Sequence, residues 1–467
     1  MKKYSRHEFI KTTLLGGLAM ATAPRAIGQP GHSNSSRPNL VVVLSDDHAC
    51  GSIGYNNPNV KTPNLDSLGR DGVIFDRAYI ATPICAASRA SIMTGMFPQQ
   101  HGTIALDNHA FLENVAEHKR IPTLAQLLAQ AGYDTAFCGK SHLGPPMDYG
   151  FTSGEEMKDP TDDPTFAFAT QFIKERKSNP KPFLLWIAPK QPHVPLLPPD
   201  EWLDLYRNTD IPLSPNFLES PPPGSIYNQG MPGERYYRDS DYTNNYKSLP
   251  AGPPRSPDQI RDFIRAYYAV ISRLDHQLGE FVNQLKNADL YNNTVIIYLS
   301  DNGYHLGSHG LGNKITMHEE SVRVPMLLHG PQLRNTGIRS QALVSSLDLY
   351  PTLLDLAGAP VPEGLYGLSL IPLLKDPQTT LRPYVASECV GVGGKKGMGH
   401  RMVRTERWKY VLTDTSEEVL FDENKDPFEL ANVAGVESSQ PILQTMRGYM
   451  KEWMARVGDT HQPPPGS

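Results

Sequence analysis

At 467 residues, 39% hydrophobic and 20% charged, the chain can bury a sizeable core and accommodate one large domain with a smaller one attached. A net charge of −5 excludes a global attraction for nucleic acid or anionic polymers, so an anionic ligand would need a local basic pocket. Four cysteines (Cys50, Cys85, Cys138, Cys389) are too few and too scattered for a disulfide scaffold; one disulfide stays open, beside the stronger expectation of buried thiols.

The first thirty residues read as an export signal. Lys2 and Lys3 precede Ser5-Arg6-His7-Glu8-Phe9-Ile10-Lys11, and the apolar run Leu14 to Ala23 ends in Ala21-Thr22-Ala23. The spacing is twin-arginine-like, with His7 in place of the second arginine; a buried N-terminal helix is the alternative. No later apolar run is long enough to span a bilayer, so the expectation is a soluble protein exported to the periplasm.

Short β-branched runs then alternate with helical patterns, which predicts an α/β fold with a mostly parallel sheet. The predicted strands are Asn39–Leu44, Val73–Tyr79, Asp134–Cys138, Phe183–Ala188 and Thr294–Leu299. Helices are predicted from Cys85 to Thr94, over Ile121–Ala131 and over Asp258–Lys286. In the last, apolar residues from Ile260 to Leu285 recur at three- and four-residue steps and mark a core face. The stretch Pro189–Pro257, rich in Pro, Asn, Tyr and Gly, is expected to wall the active site. Beyond about residue 360, Arg401–Leu412, Glu418–Phe421 and the turn Asp426-Pro427 predict a small antiparallel sheet, followed by a helix from about Pro441 to Val457. The resulting division is an export signal over 1–30, a catalytic α/β domain over 36–360 and a C-terminal α+β subdomain over 361–467.

Four of the predicted strands run straight into polar clusters. These are Ser45-Asp46-Asp47-His48, Gly139-Lys140-Ser141-His142, Lys190-Gln191-Pro192-His193 and Ser300-Asp301-Asn302-Gly303. Ligands bind at the carboxyl ends of strands in open α/β sheets, so these clusters can converge on one site. Asp46, Asp47, Asp301 and Asn302 have the makings of a hard divalent cation site, since adjacent carboxylates repel one another unless a cation lies between them. An isolated Asp-Asp is more often a solvated turn or a cap, but a second Asp-Asn pair after another strand shifts the balance to metal. Oxygen ligands without a His/Cys cluster favour calcium or magnesium over zinc. Arg89, Lys140 and Lys314, with His142 and His193, supply what a tetrahedral anion requires, aided by the amides of a helix opening at Cys85. Each of these residues alone would more often be structural.

Cys85-Ala86-Ala87-Ser88-Arg89 with Thr94-Gly95 resembles the signature of type I, formylglycine-dependent sulfatases. The order of Asp46-Asp47, Gly139-Lys140-x-His142, Pro192-His193-x-Pro195, Asp301-Asn302-Gly303 and Lys314 is similar to that family as well. So are Lys61 to Asp66, Glu319 to Pro325, Trp408-Lys409-Tyr410, and Asp426-Pro427 with Glu429; the resemblance spans about residues 37 to 435. It implies an alkaline phosphatase-like fold, a mostly parallel sheet flanked by helices with a smaller C-terminal subdomain of antiparallel sheet plus helix. It also implies one Ca²⁺ per chain held by Asp46, Asp47, Asp301, Asn302 and modified Cys85, with the formylglycine made from Cys85 by a maturation enzyme. A hydroxyl of the aldehyde hydrate would attack sulfur, and collapse of the resulting hemiacetal would release sulfate. Arg89, Lys140 and Lys314 would stabilise the sulfate oxygens. His142 would assist collapse, and His193, with Lys314, would protonate the leaving oxygen.

Three positions depart from the family pattern: Ala87 for the common proline, Ser141 for tryptophan and His318 for tyrosine. The last two are expected to bear on substrate choice. The expected substrate is a sulfated saccharide such as a glycosaminoglycan, with His305, His109, His400 and Arg401 the foremost candidate contacts. His48, Asn108, Tyr304, His309, Lys395 and Lys396 are further candidates, all chosen by nearness to the motifs. The rival readings are a phosphoester or phosphonate hydrolase of the same superfamily, a glycan-binding homologue without catalysis, and a cysteine hydrolase using Cys85 with His142. The intact polar set argues against the second.

Overall fold

The computed structural model describes residues 37–104, 111–113, 121–176, 179, 181–222, 256–330, 333, 336–390 and 399–461. The expected export signal, Asn108, His109, Lys395, Lys396 and residues 223–255 of the expected wall lie outside them. The described residues belong to one compact unit.

The large sheet has eight strands in the order β4-β3-β5-β1-β6-β7-β2-β8. They are β1 Asn39–Ser45, β2 Val73–Tyr79, β3 Asp134–Gly139, β4 Ser153–Glu156, β5 Phe183–Ala188, β6 Thr294–Ser300, β7 Met326–His329 and β8 Ile338–Ser345. Only β7 runs antiparallel to its neighbours. β1, β5 and β6 are buried along their whole length, as central strands covered on both faces must be.

Alternation along β1 splits the core into two layers. Leu40, Val42 and Leu44 face one side, where helices α2 (Cys85–Thr94), α3 (Leu124–Gln130) and α6 (Leu349–Ala357) pack. Val41 and Val43 face the other, against α1 (Pro63–Arg70), α4 (Asp163–Glu175) and the long α5 (Pro257–Asn287). Every member of the apolar stripe on α5 is buried, each contributing about 1.5–3 kcal/mol. Its start is fixed by Ser256, which accepts from the Gln259 amide, with Pro257 at the first helical position.

The C-terminal sheet has the order β12-β11-β10-β9, formed by β9 Val385–Cys389, β10 His400–Arg404, β11 Trp408–Thr413 and β12 Glu418–Asp422. One face is covered by helix α7 (Gln440–Val457) through Leu443, Met446, Met450 and Trp453. The opposite face, with Met402, Val411 and Phe421, packs on Ile84, Ala87 and Met317. The small sheet therefore backs directly onto the residues around Cys85.

Candidate active site

Strand register brings the acidic clusters together. β1 and β6 pair in parallel with Ser45 opposite Ser300, so Asp46 and Asp301 leave adjacent strands at the same level. The Asp301 amide donates to Ser45 O at 3.0 Å. On the other flank the Lys140 amide donates to Ala188 O at 2.7 Å, and Asp46 forms a bridge with Pro192. Gly139 has φ +106°, and a Cβ there would lie 2.1 Å from Ala188 O, so only glycine lets Lys140 leave β3 this close to β5. Cys85 stands at the first position of α2. Asp47 and His142 have φ of +66° and +60°, left-handed backbone in non-glycine residues of the kind concentrated at functional sites.

The side chains converge. Lys314 Nζ lies 2.6 Å from Cys85 Sγ and touches Asp47 Oδ1. Lys140 Nζ rests on Asp46 Oδ2, and Arg89 donates Nε to Asp301 Oδ2 at 2.7 Å and Nη1 to Lys140 O at 2.5 Å. His193 Nε2 is 3.9 Å from Asp47 Oδ2, and its Nδ1 faces Val194 O at 2.5 Å. A carbonyl only accepts, so Nδ1 carries the proton and Nε2 of the neutral ring is bare. The His142 amide donates to Glu156 Oε1 at 3.1 Å.

Electrostatics mark the same place. Burial and the charge of Asp46 push Asp301 up to about 6, and burial raises Asp47 as well. Asp46 goes the other way: burial raises it, but Lys140, His193, Arg89 and Lys314 together hold it well below the usual range. Burial pushes the Cys85 thiol up to about 12, while burial and Lys140 push His142 and His193 down to about 3. A protonated thiol beside Lys314, with no hydrogen bond to His142, does not make an activated cysteine–histidine dyad.

A hard cation fits the donors. Asp46 Oδ1 and Asn302 Oδ1 are buried without a hydrogen-bond partner. Asp46, Asp47, Cys85 and His193 place one donor atom each within 4.8 Å of one another. Asp301 adjoins them, its oxygens taken by Arg89 and the Asp47 amide.

Of the foremost substrate candidates, the described ones, His305, His400 and Arg401, are not brought to this cluster. His305 is buried and bonds Thr316 Oγ1 at 2.8 Å. His400 is buried within β10. Arg401, on the same strand, is clamped by Asp414 at 2.5 Å and by Asp459, a buried structural pairing. Of the further candidates, His48 bonds Tyr298 and Ser52, Tyr304 stacks on Tyr267, and His309 stacks on His318. Proximity in sequence misled here because these side chains turn into the protein. His318 likewise turns to Glu429 at 2.8 Å, and Ser141 turns to Tyr149 at 2.8 Å. Sequence reasoning missed Asp162, which accepts the Lys190 and Gln191 amides at 2.7 and 2.9 Å and so holds the loop that carries His193.

Comparison with known proteins adds the family. The model described as Sulfatase matches residues 38–359, and the one described as N-sulphoglucosamine sulphohydrolase, C-terminal, matches residues 307–456. N-acetylglucosamine-6-O-sulfatase of Bacteroides thetaiotaomicron is 26% identical, over 95% of this chain and 91% of its own length. The solved structure of BT4656 in complex with its substrate D-glucosamine-2-N,6-O-disulfate superposes with a TM-score of 0.77 at 24% identity, covering 92% of this chain and all of that one. A phosphonate monoester hydrolase from Silicibacter pomeroyi reaches 0.76 at 21% identity, covering 91% and 96%, so the fold is shared beyond sulfate esters.

Proposed function

The chain belongs to the sulfatase family and is a sulfuric ester hydrolase, and we propose that it is an exported, periplasmic enzyme that removes sulfate from a saccharide using formylglycine made from Cys85 and one Ca²⁺. The observation that carries the reading is Cys85 at the start of a buried helix, 2.6 Å from Lys314 and within 4.8 Å of carboxylate oxygens of buried Asp46 and Asp47. An unactivated thiol in that place has little use as a nucleophile. Conversion by a maturation enzyme would supply an aldehyde hydrate instead. Asp46, Asp47, Asp301 and Asn302, with the modified residue, would hold the cation, which polarises the sulfate oxygens when bound.

The chain's own groups divide the remaining work. Arg89, Lys140 and Lys314 form a fixed cationic cradle for the charge on the sulfate. Burial opposes the Lys314 ammonium, but the carboxylates of Asp47, Asp46 and Asp301 favour its charge, and its pKa lies well above the ordinary value, so it stays charged. Bare Nε2 of His193 takes up a proton once an anion is bound beside it, and can then return that proton to the leaving oxygen. His142 would assist release of sulfate. A sulfated glycan as substrate is supported by the similarity to the Bacteroides N-acetylglucosamine-6-O-sulfatase, an enzyme named for a sulfated sugar.

The test is sulfate release from a panel of sulfated mono- and disaccharides, with Cys85→Ala as the blank and phosphate and phosphonate esters on the same plate. Release from a saccharide that vanishes in the variant supports the reading. Phosphate or phosphonate cleavage with silent sulfates overturns it in favour of the rival hydrolase.

A further inference from the structure

Lys314 leaves the chain beside a strained residue. Ile315 has φ +75°, a left-handed conformation that a β-branched side chain holds only when its surroundings impose it. The imposing contacts come from two directions. Within the catalytic layer, Thr316 Oγ1 bonds His305 Nε2 at 2.8 Å, and the Thr316 amide donates to Ser321 Oγ at 3.3 Å. From the C-terminal sheet comes Lys409 of β11, wholly buried. It donates Nζ to Met317 O at 3.1 Å and pairs with Glu319 at 2.6 Å and Glu429 at 2.5 Å. Glu429 in turn accepts from the Glu319 amide at 3.0 Å and bonds His318 Nδ1 at 2.8 Å.

The three carboxylates Glu319, Glu423 and Glu429 lie close enough to hold a cation, and Lys409 already is that cation. Burial opposes its charge, yet the three glutamates outweigh burial and keep the ammonium charged. Met317 adds an apolar contact to the same sheet through the cluster of Met402 and Val411. Residues 315–319 are thus held from outside the catalytic layer by groups that do not themselves touch Cys85.

We infer that Lys409 and Glu429 are positioning residues: they reach from the C-terminal sheet, fix the turn over residues 315–319, and thereby keep Lys314 Nζ aimed at Cys85. The inference rests on the reading of Lys314 as a catalytic cation. It gives the small sheet a part in the reaction without any contact to substrate.

The experiment compares Lys409→Met, Glu429→Gln, Lys314→Met and Arg447→Met. Arg447 pairs with Glu418 elsewhere in the C-terminal layer and has no such path to Lys314. Steady-state kinetics use the sulfate ester cleaved by the parent, and amide hydrogen exchange is followed over residues 314–319. Lys409→Met and Glu429→Gln should lower kcat by about tenfold or more while KM stays within about threefold, because a misaimed group costs the transition state most. Exchange over 315–319 should quicken while that of β12 does not. Arg447→Met should keep the parental kcat even if it melts lower. Parental kcat and exchange in both anchor variants would overturn the inference. A fully active Lys314→Met would instead sink the catalytic reading of Lys314, with the exchange data still reporting on the anchor. Should Lys409→Met fail to fold, Glu429→Gln, which keeps the side chain's shape, decides the matter.

Discussion

Arg89 and Asp301 meet through a single charge-assisted hydrogen bond, Nε to Oδ2 at 2.7 Å, which ties helix α2 to the end of β6. The same guanidinium reaches the Lys140 carbonyl and approaches Asp46 at 3.7 Å, so one side chain spans three strand ends. Its Nη2 has no hydrogen-bond partner, and burial of an unspent donor in an anion site leaves it available to a sulfate oxygen. Arg89→Lys keeps the charge but cannot span these groups. The expected outcome is a loss of about a hundredfold or more in kcat/KM, typical of removing one oriented donor. Kinetics on the lysine variant check this; a loss under about threefold would mean that charge alone suffices.

Cys85 is buried and touches Lys314, yet its side chain is small. Cys85→Ala should therefore abolish turnover while changing stability by only about 1 kcal/mol, the usual scale for a minor core deletion. Denaturant melts and activity measured on one preparation separate the two effects. Mass spectrometry of the parent's Cys85 peptide checks the chemistry independently: conversion to formylglycine replaces the thiol with an aldehyde, and an unconverted peptide in fully active enzyme would refute the proposed nucleophile.

Much of this was legible in the sequence, for identifiable reasons. β1, β5 and β6 are unbroken apolar runs because both their faces are covered, and the polar residues that end them stand out by contrast. β7, only Met326–His329, is too short to show a period, and β9 mixes Ser387 and Glu388 into its run. Helix α4 went unread because Pro164 falls near its start, within a stretch that otherwise reads as turn. The supporting carboxylates Asp162 and Glu156 had no local signature, and Glu429 stood out only as part of the resemblance, with no role attached. Acidic residues are common, and only tertiary packing shows that these three accept backbone amides around the site.

Calcium should stabilise the protein as well as activate it. A ligand bound only by the folded state adds about 2.7 kcal/mol at a hundredfold excess over Kd. Buried, mutually repelling Asp46, Asp47 and Asp301 are the groups that gain. Chelator-treated enzyme should lose activity and melt lower, and added calcium should restore both. Asp301→Ala should lose that response along with bound metal, read by elemental analysis. Unchanged metal content would remove Asp301 from the ligand set.

Asp275 offers a test by pH remote from the reaction. On α5, its carboxylate accepts the Asn64 and Leu65 amides at 3.1 and 2.7 Å and the Asn64 side chain at 2.8 Å, capping α1. Burial outweighs these bonds and pushes the carboxyl from 3.8 up to about 6. The folded protein thus binds this proton more tightly than the unfolded chain does. Below the unfolded value both states are protonated and the group is neutral to stability. Between about pH 4 and 6 the unfolded chain ionises first, so stability falls as pH rises, and above 6 the full cost persists. The gap of about two pKa units corresponds to about 3 kcal/mol. Asp275→Asn cannot ionise, so parent stability relative to this variant should fall by about that amount between pH 4 and 7. Denaturant unfolding of both proteins at the two pH values measures it. A difference that is flat, or that grows with pH, would show that the three hydrogen bonds keep Asp275 ionised despite its burial.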